Sequence, residues 1–490
     1  MLKAIDSFVN QITMYRLVLY GLVILATLSV ILGFLNVLPY SGFELLTSLL
    51  ILSLVCFLAT KILSRFYNVE SSVITALILF FIFEPSIEKT GLLTLAAIGL
   101  TAVLSRYILA WRGKHIFNPA ALAAVIFGLT GSGLAVWWVG SEFLLLPSLI
   151  LGFLVTKKIR RASLVSSFII TATVVMLVIT YFSGYSLVEA LRVILFSWPL
   201  IFFATIMLTE PLTTPPRKET QLAYGVIVGS LFSAQFHFGP IYPTPELALV
   251  IGNIFSFIVS NKGRFNLRLR QIVNLTPSIK EFVFSPDKPL VFLSGQYMEF
   301  TVQPKGADNR GNRRYFTLAS SPTEQEARLG IRYNQPSSSF KEKLKSLKPG
   351  DRVVATQAMG DFILPKDLST PMIWLAGGIG ITPFRSMAKF VCDNKQTLDC
   401  YLFYLAAQQE DFVYREIFEE AASYGLKTFY LESTKDKPFD FSHLSDYVKD
   451  YEKRLFYISG PNGLVESFSS AIIKNGVSGK QVIKDYFPGF

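Results

Sequence analysis

The sequence predicts a multi-domain chain: a polytopic α-helical membrane domain over residues 1–260, an antiparallel β-barrel over 265–366, and a doubly wound α/β domain over 370–490. Three observations carry this. The 490 residues are 51% hydrophobic with a mean hydropathy of +0.44, too apolar for an ordinary soluble chain. Charge is uneven: residues 1–260 hold 15 Lys+Arg and 10 Asp+Glu, and the shorter remainder holds 31 and 25. Finally, Met372-Ile-Trp-Leu-Ala-Gly-Gly-Ile-Gly-Ile-Thr-Pro383 is an apolar run broken abruptly by glycines. It reads as a buried parallel strand, a tight turn and a helix start.

Both parts are net positive within the total of +11, so a basic membrane protein with cytosolic loops accounts for the charge and no nucleic acid is implied. Cys56, Cys392 and Cys400 lack the paired spacing of a zinc or iron–sulfur site, and no metal is expected. Of the three histidines, His115 and His237 fall in the apolar part, too few for a two-haem path. The first apolar run is too long for a signal peptide and reads as an uncleaved span.

About ten spans are expected, near residues 16–38, 44–60, 71–84, 91–109, 116–130, 143–156, 163–182, 190–208, 221–237 and 246–260. Lys and Arg concentrate in alternate loops, as in Lys157-Lys158-Ile-Arg160-Arg161, and with ten spans this puts both termini on the cytoplasmic side of the cell membrane. Phe83-Glu84-Pro85 and Thr209-Glu210-Pro211 stand 126 positions apart, and the same offset carries Asn118-Pro119-Ala120-Ala121 onto Thr244-Pro245-Glu246-Leu247. Five spans separate the copies, so the second is inverted. Inverted repeats with proline-broken helices are how transporters place a site near the midplane. Glu84, Asn118, Glu210 and Glu246 are the candidate site residues for an ion or an electron acceptor, because intramembrane acids are functional by default.

Gly113-Lys-His-Ile-Phe-Asn-Pro-Ala-Ala121, Thr209-Glu-Pro-Leu-Thr-Thr-Pro-Pro216 and Tyr242-Pro-Thr-Pro-Glu246 resemble one family, the B subunit of sodium-translocating NADH:quinone reductase and the D subunit of the Rnf complex. The resemblance covers most of residues 60–260. It implies a pseudo-twofold domain with a second flavin, FMN or riboflavin, and electron transfer coupled to Na+ or H+ movement.

Beyond residue 265, short alternating apolar segments separated by Pro, Gly, Asp and Asn read as the barrel, and 371–490 alternates strands with helices. In the barrel, Arg314-Tyr315-Phe316-Thr317 offers a cation for phosphate, a ring to pack on a flavin and a hydroxyl to hydrogen-bond it, with Ser320 following. Ser337-Ser338-Ser339 opens a polar helix, either an ordinary cap or a pyrophosphate site. Gly377, Gly378 and Gly380 lack the Cβ atoms that would hold a pyrophosphate off the backbone, and Thr382 and Pro383 suit the helix start behind them.

Taken in order with Tyr457-Ile-Ser459-Gly460-Pro461 and the stretch Asp485-Tyr-Phe-Pro-Gly-Phe490, these motifs resemble the ferredoxin–NADP reductase superfamily over essentially all of 265–490. The resemblance implies FAD held by Arg314, Tyr315, Phe316, Thr317, Ser320 and the three serines. It places the dinucleotide on Gly377, Gly378, Gly380, Thr382 and Pro383, and nicotinamide beside Ser459, Gly460 and Pro461. Thr317, Ser459 and Phe490 are the expected catalytic residues. After the second strand of the α/β domain, Ala406-Ala407-Gln408-Gln409-Glu410-Asp411 has no cation before Arg415, which favours NADH over NADPH.

The sequence reading is therefore a membrane NADH dehydrogenase that delivers electrons to a flavin or quinone, with lipid, and Na+ or H+, as further partners. Its rivals are an uncoupled reductase of an extracytoplasmic acceptor and a transporter with a tethered reductase module.

Overall fold

The computed structural model describes residues 12–63, 69–111, 114–184, 186–196, 198–233, 242–260, 263–303, 312–333, 337–432 and 441–487. The chain divides into two units, Met1–Gly263 and Arg264–Phe490.

The first unit is helical. Its helices are α1 (Met14–Phe34), α2 (Gly42–Leu63), α3 (Val69–Ile82), α4 (Lys89–Ile108), α5 (Pro119–Thr130), α6 (Glu142–Ile159), α7 (Ala162–Phe182), α8 (Leu187–Phe196), α9 (Leu200–Phe202), α10 (Lys218–Phe232) and α11 (Pro245–Val259). A two-stranded hairpin of β1 (Ala110–Trp111) and β2 (Lys114–His115) precedes α5, and α9 runs into a wide turn at Phe203–Met207. A helix meets each predicted span, but the expectation of ten crossings is not met by length. Among the described residues four helices, α1, α2, α4 and α7, are long and apolar enough to cross a membrane, or five crossings if α8 and the bent continuation of α9 count as one. α3, α5 and α11 are apolar but short, and three charges dilute α6, which also carries Pro147.

The repeat is visible in local structure. Asn118 and Thr244 both cap helices that start on proline, each side chain accepting backbone N–H bonds of the first turn.

The second unit opens with β3 (Phe265–Asn274), β4 (Ile279–Pro286), β5 (Tyr297–Thr301), β6 (Arg313–Thr317), β7 (Ala327–Arg332), α12 (Ser339–Lys345) and β8 (Arg352–Ala355). These strands form an antiparallel sheet in the order β6-β5-β8-β3-β4-β7. Along β3, Phe265, Leu267 and Leu269 face the core while Asn266, Arg268 and Arg270 face outward, the period of two that a half-buried strand requires. The sequence predicts a closed barrel; among the described residues the edges β6 and β7 share no ladder. One backbone bond, from Ala319 N–H to the Arg328 carbonyl at 2.8 Å, joins the segment after β6 to β7, so the sheet curls toward closure and stays open.

Next come β9 (Met372–Gly377), α13 (Thr382–Asp393), β10 (Cys400–Ala406), α14 (Arg415–Ala422), β11 (Leu426–Glu432), α15 (Phe441–Tyr447), β12 (Leu455–Pro461), α16 (Asn462–Lys474) and β13 (Val482–Phe487). The sheet is parallel, in the order β11-β10-β9-β12-β13. Every residue of β9 is buried, because α13 and α14 cover one face of the sheet and α15 and α16 the other. Strand order reverses between β9 and β12, and in a doubly wound sheet that crevice, at the carboxyl ends of the strands, is where ligands bind.

Candidate functional site

The crevice between β9 and β12 is made by glycine. A Cβ on Gly380 would stand 2.4 Å from the Ser459 carbonyl oxygen, and one on Gly377 would stand 2.8 Å from a Leu464 methyl. Gly378 has φ +54° and Gly460 has φ +154°, conformations that side chains rarely adopt. The loop thus lies against Ser459-Gly460-Pro461 at backbone distance. Thr382 and Pro383 open α13 as expected; both are buried, and the Thr382 hydroxyl donates to the Ile379 carbonyl at 3.2 Å.

Ser459 is fully buried and its hydroxyl has no hydrogen-bond partner. It pairs in register with Asp485 of β13. The Asp485 carboxylate accepts the Thr317 hydroxyl at 3.4 Å, so the end of β6 meets the end of β13. Asp485 is a residue the sequence reading quoted within a motif without giving it a role. Its signal was there: an acid in the last strand, in register with a motif serine.

On the other face of β6, the Arg314 guanidinium sits 5.3 Å from the Phe340 ring centre, and Phe316 packs on the same ring at 5.7 Å. Arg314 therefore shares a face with the start of α12. There Ser338 caps the helix by accepting Lys341 N–H, Ser339 is its first residue, and the buried Ser337 hydroxyl has no hydrogen-bond partner. Tyr315 points the opposite way, half-exposed, edge-on to Tyr297. Ser320 is fully buried and occupied: its hydroxyl accepts Arg328 N–H and its carbonyl accepts the Ser386 hydroxyl. That holds the loop after β6 to β7 and α13. Phe490 and His237 lie outside the described residues.

Two cations missed from sequence link the antiparallel sheet and its loops to the α/β part. Arg332 of β7 bonds the Asp411 carboxylate at 3.0 Å, and its guanidinium would stand 3.4 Å from a Cβ on Gly378. Arg385 of α13 is buried, bonding the Ala319 carbonyl at 2.9 Å and pairing bidentately with Glu324. Burial raises the Glu324 carboxyl, but the hydrogen bond and charge of Arg385, Ser321 N–H and Arg328 outweigh it and hold the group below its ordinary value. Neither arginine has a local motif, since each acts across two sheets. Arg415 lies 4.5 Å from the Tyr430 ring centre, a stacked position.

In the helical unit, Glu210 and Asn118 come together and Glu84 does not join them. Glu210 accepts Asn118 Nδ2 at 2.9 Å and Thr213 Oγ1 at 3.1 Å, with His115 Nε2 at 3.1 Å. Asn118 N–H donates to Asn253 of α11, on which Glu246 also stands, and Glu246 accepts Trp137 Nε1 at 2.9 Å. Glu84 is exposed. At the end of α3, Trp137 N–H donates to the Ile82 carbonyl and Trp138 Nε1 to the Phe80 carbonyl.

Among known proteins, residues 374–469 match the family described as the oxidoreductase NAD-binding domain. The chain is similar to a flavohemoprotein of Xylella fastidiosa, 23% identical over 223 residues, which is 43% of this chain and 55% of that protein. It is also similar to the reductase component of phenol 2-monooxygenase from Pseudomonas sp., 25% identical over 229 residues, 44% of this chain and 63% of that one. The chain thus spans little more than half the length of these relatives. The FAD/NAD binding domain of nitric oxide dioxygenase from Vibrio cholerae is a structural neighbour at 19% identity and a TM-score of 0.41, covering 46% of this chain and 98% of that one. Over residues 374–469, the chain carries an oxidoreductase NAD-binding domain.

Proposed function

We propose that this chain is a membrane-bound NADH dehydrogenase with an FAD-bearing C-terminal unit, whose electrons pass to a flavin or quinone held by the helical unit, coupled to Na+ or H+ movement. The observation that carries the reductase part is the convergence of the glycine loop, the unpartnered Ser459 hydroxyl and the Thr317–Asp485 bond at one end of the sheet. The residues fit a dinucleotide flavin: Arg314 and the free Ser337 hydroxyl share one face of the antiparallel sheet, where they would hold its diphosphate. Tyr315 supplies an exposed ring on the opposite face of β6, the face that also carries Thr317. When bound, a flavin would take two electrons as hydride and release them singly.

The chain's own residues do the placing. Thr317, oriented by Asp485, donates its hydroxyl to the flavin edge or to the acid as the ligand demands. Gly377, Gly378 and Gly380 let the dinucleotide backbone approach, and Arg332 offers charge to its pyrophosphate. NADH is favoured over NADPH because Arg332 is engaged by Asp411 and Arg415 is stacked on Tyr430, leaving the exposed Glu410 rather than a cation after β10. Four apolar helices support placement in a membrane.

The test is flavin content of the purified full chain before and after acid precipitation, with NADH and NADPH oxidation on the same sample. One releasable FAD per chain and at least a tenfold preference for NADH agree with the reading; no FAD, or a preference for NADPH, sinks it. A second flavin, retained by the precipitate, would support a relay in the helical unit.

A further inference from the structure

We propose that His115 and Glu210 form a proton-binding pair in the helical unit, at a site that rejects sodium. The role in ion movement rests on the reading above, but the chemistry of the pair does not. The Glu210 carboxylate faces three donors, His115 Nε2, Asn118 Nδ2 and the Thr213 hydroxyl. The neighbouring side-chain oxygens are spent as well. Asn118 Oδ1 accepts Ala120 and Ala121 N–H, Asn253 Oδ1 accepts Asn118 N–H, and Asn253 Nδ2 donates to the Tyr224 hydroxyl. The Thr214 hydroxyl donates to the Glu210 carbonyl at 2.5 Å and accepts from Arg161.

A sodium ion, like other hard cations, needs several free oxygens converging on it. Here the described oxygens are turned to donors. The electrostatics point the same way: the twelve-residue helix α5 starts at this cluster and directs its positive end there. Arg106 acts on Glu210 and Arg161 bonds the Thr209 carbonyl at 3.3 Å. Tyr224 of α10 also faces the Glu210 charge, and Arg161 acts on Tyr224 in turn.

A proton needs no oxygen cage. With Nε2–H donated to Glu210, the imidazole keeps the Nδ1 lone pair, and a proton arriving there makes an imidazolium already hydrogen-bonded to a carboxylate. Side-chain exposures of 12% for His115 and 22% for Glu210 leave neither group sealed inside the protein.

Infrared difference spectra of the full chain in lipid nanodiscs, recorded as the pH is lowered from about 8 to about 5, test this directly. The expected result is uptake of one proton on an imidazole, absent in His115→Gln, diminished at a given pH in Glu210→Gln, and identical in sodium chloride and in an organic-cation chloride. A sodium-specific change in the titration that Glu210→Gln abolishes would overturn the proposal in favour of a sodium site. An imidazole signal unchanged by His115→Gln would overturn it in favour of a structural hydrogen bond. Glu142→Gln, at an exposed acid outside the cluster, retains the proton uptake, and circular dichroism reads the fold of every variant. NADH-dependent flavin reduction is read on each sample: its loss in the unsubstituted chain counts against the reductase reading and leaves the proton pair standing, and the reverse also holds.

Discussion

The two units keep their buried polar groups in different ways. In the C-terminal unit they include ion pairs that tie the antiparallel sheet and its loops to the α/β part, Arg385 to Glu324 and Ala319 and Arg332 to Asp411, and one within the antiparallel sheet, Arg328 to Glu281 at 2.9 Å. In the helical unit one hydrogen-bonded cluster centres on the Glu210 carboxylate, and other polar pairs stand apart from it, Arg16 with Glu70 at 2.8 Å and Trp137 with Glu246 at 2.9 Å. The first arrangement fixes geometry between sheets, as hydride transfer requires. The second leaves one charge state adjustable.

Breaking the interlock between sheets is expected to have the largest effect. Arg385→Gln leaves Glu324 with one cation fewer in a largely buried setting, at a cost of about 4 kcal/mol. Its pH signature is specific. Because the folded pKa of Glu324 lies below its ordinary value of 4.5, the stability it contributes is present above that pH and lost as the pH falls through the lower folded value. Acid unfolding of the unsubstituted protein therefore steepens below about pH 4.5, and Arg385→Gln flattens that limb; chemical denaturation across the range reads both.

Next comes the backbone approach. Gly380→Ala sets a methyl 2.4 Å from the Ser459 carbonyl, costing about 2 kcal/mol. Displacement of the loop slows NADH-dependent flavin reduction about 100-fold in stopped flow. Thr317→Ala, which removes one hydrogen bond to Asp485, slows the same step about tenfold, and Thr317→Ser restores most of it. At the small end, Glu84→Gln shifts the melting temperature of the helical unit by the equivalent of less than about 0.5 kcal/mol, as an exposed substitution does. A large effect at Glu84 would revive the symmetric site and erase the contrast between the Glu-Pro pairs.

What could be read in advance follows the same divide. The glycine loop was legible because its requirement is local: three residues without Cβ atoms between a buried strand and a proline-started helix. The Asn118 and Thr244 caps were legible through the repeat for the same reason. Arg332, Arg385 and the His115–Glu210 contact were not, since each depends on side chains brought together by tertiary packing across 61 to 95 positions. Symmetry misled at Glu84 because a repeat copies backbone frames and leaves the facing side chains free to differ. The barrel and the ten spans remain expectations, because strand spacing and apolar composition say nothing of the final ladder or of helix length.

The central claim is that the C-terminal unit joins NADH to a flavin at the crevice between β9 and β12. Anaerobic mixing of the FAD-loaded full chain with NADH, beside Gly380→Ala under the same conditions, tests it most directly. The account predicts bleaching of the flavin absorbance within the dead time or milliseconds for the unsubstituted chain and a trace slowed about 100-fold for the variant. Flavin that stays oxidised with NADH, or that is reduced equally fast in both proteins, would contradict it.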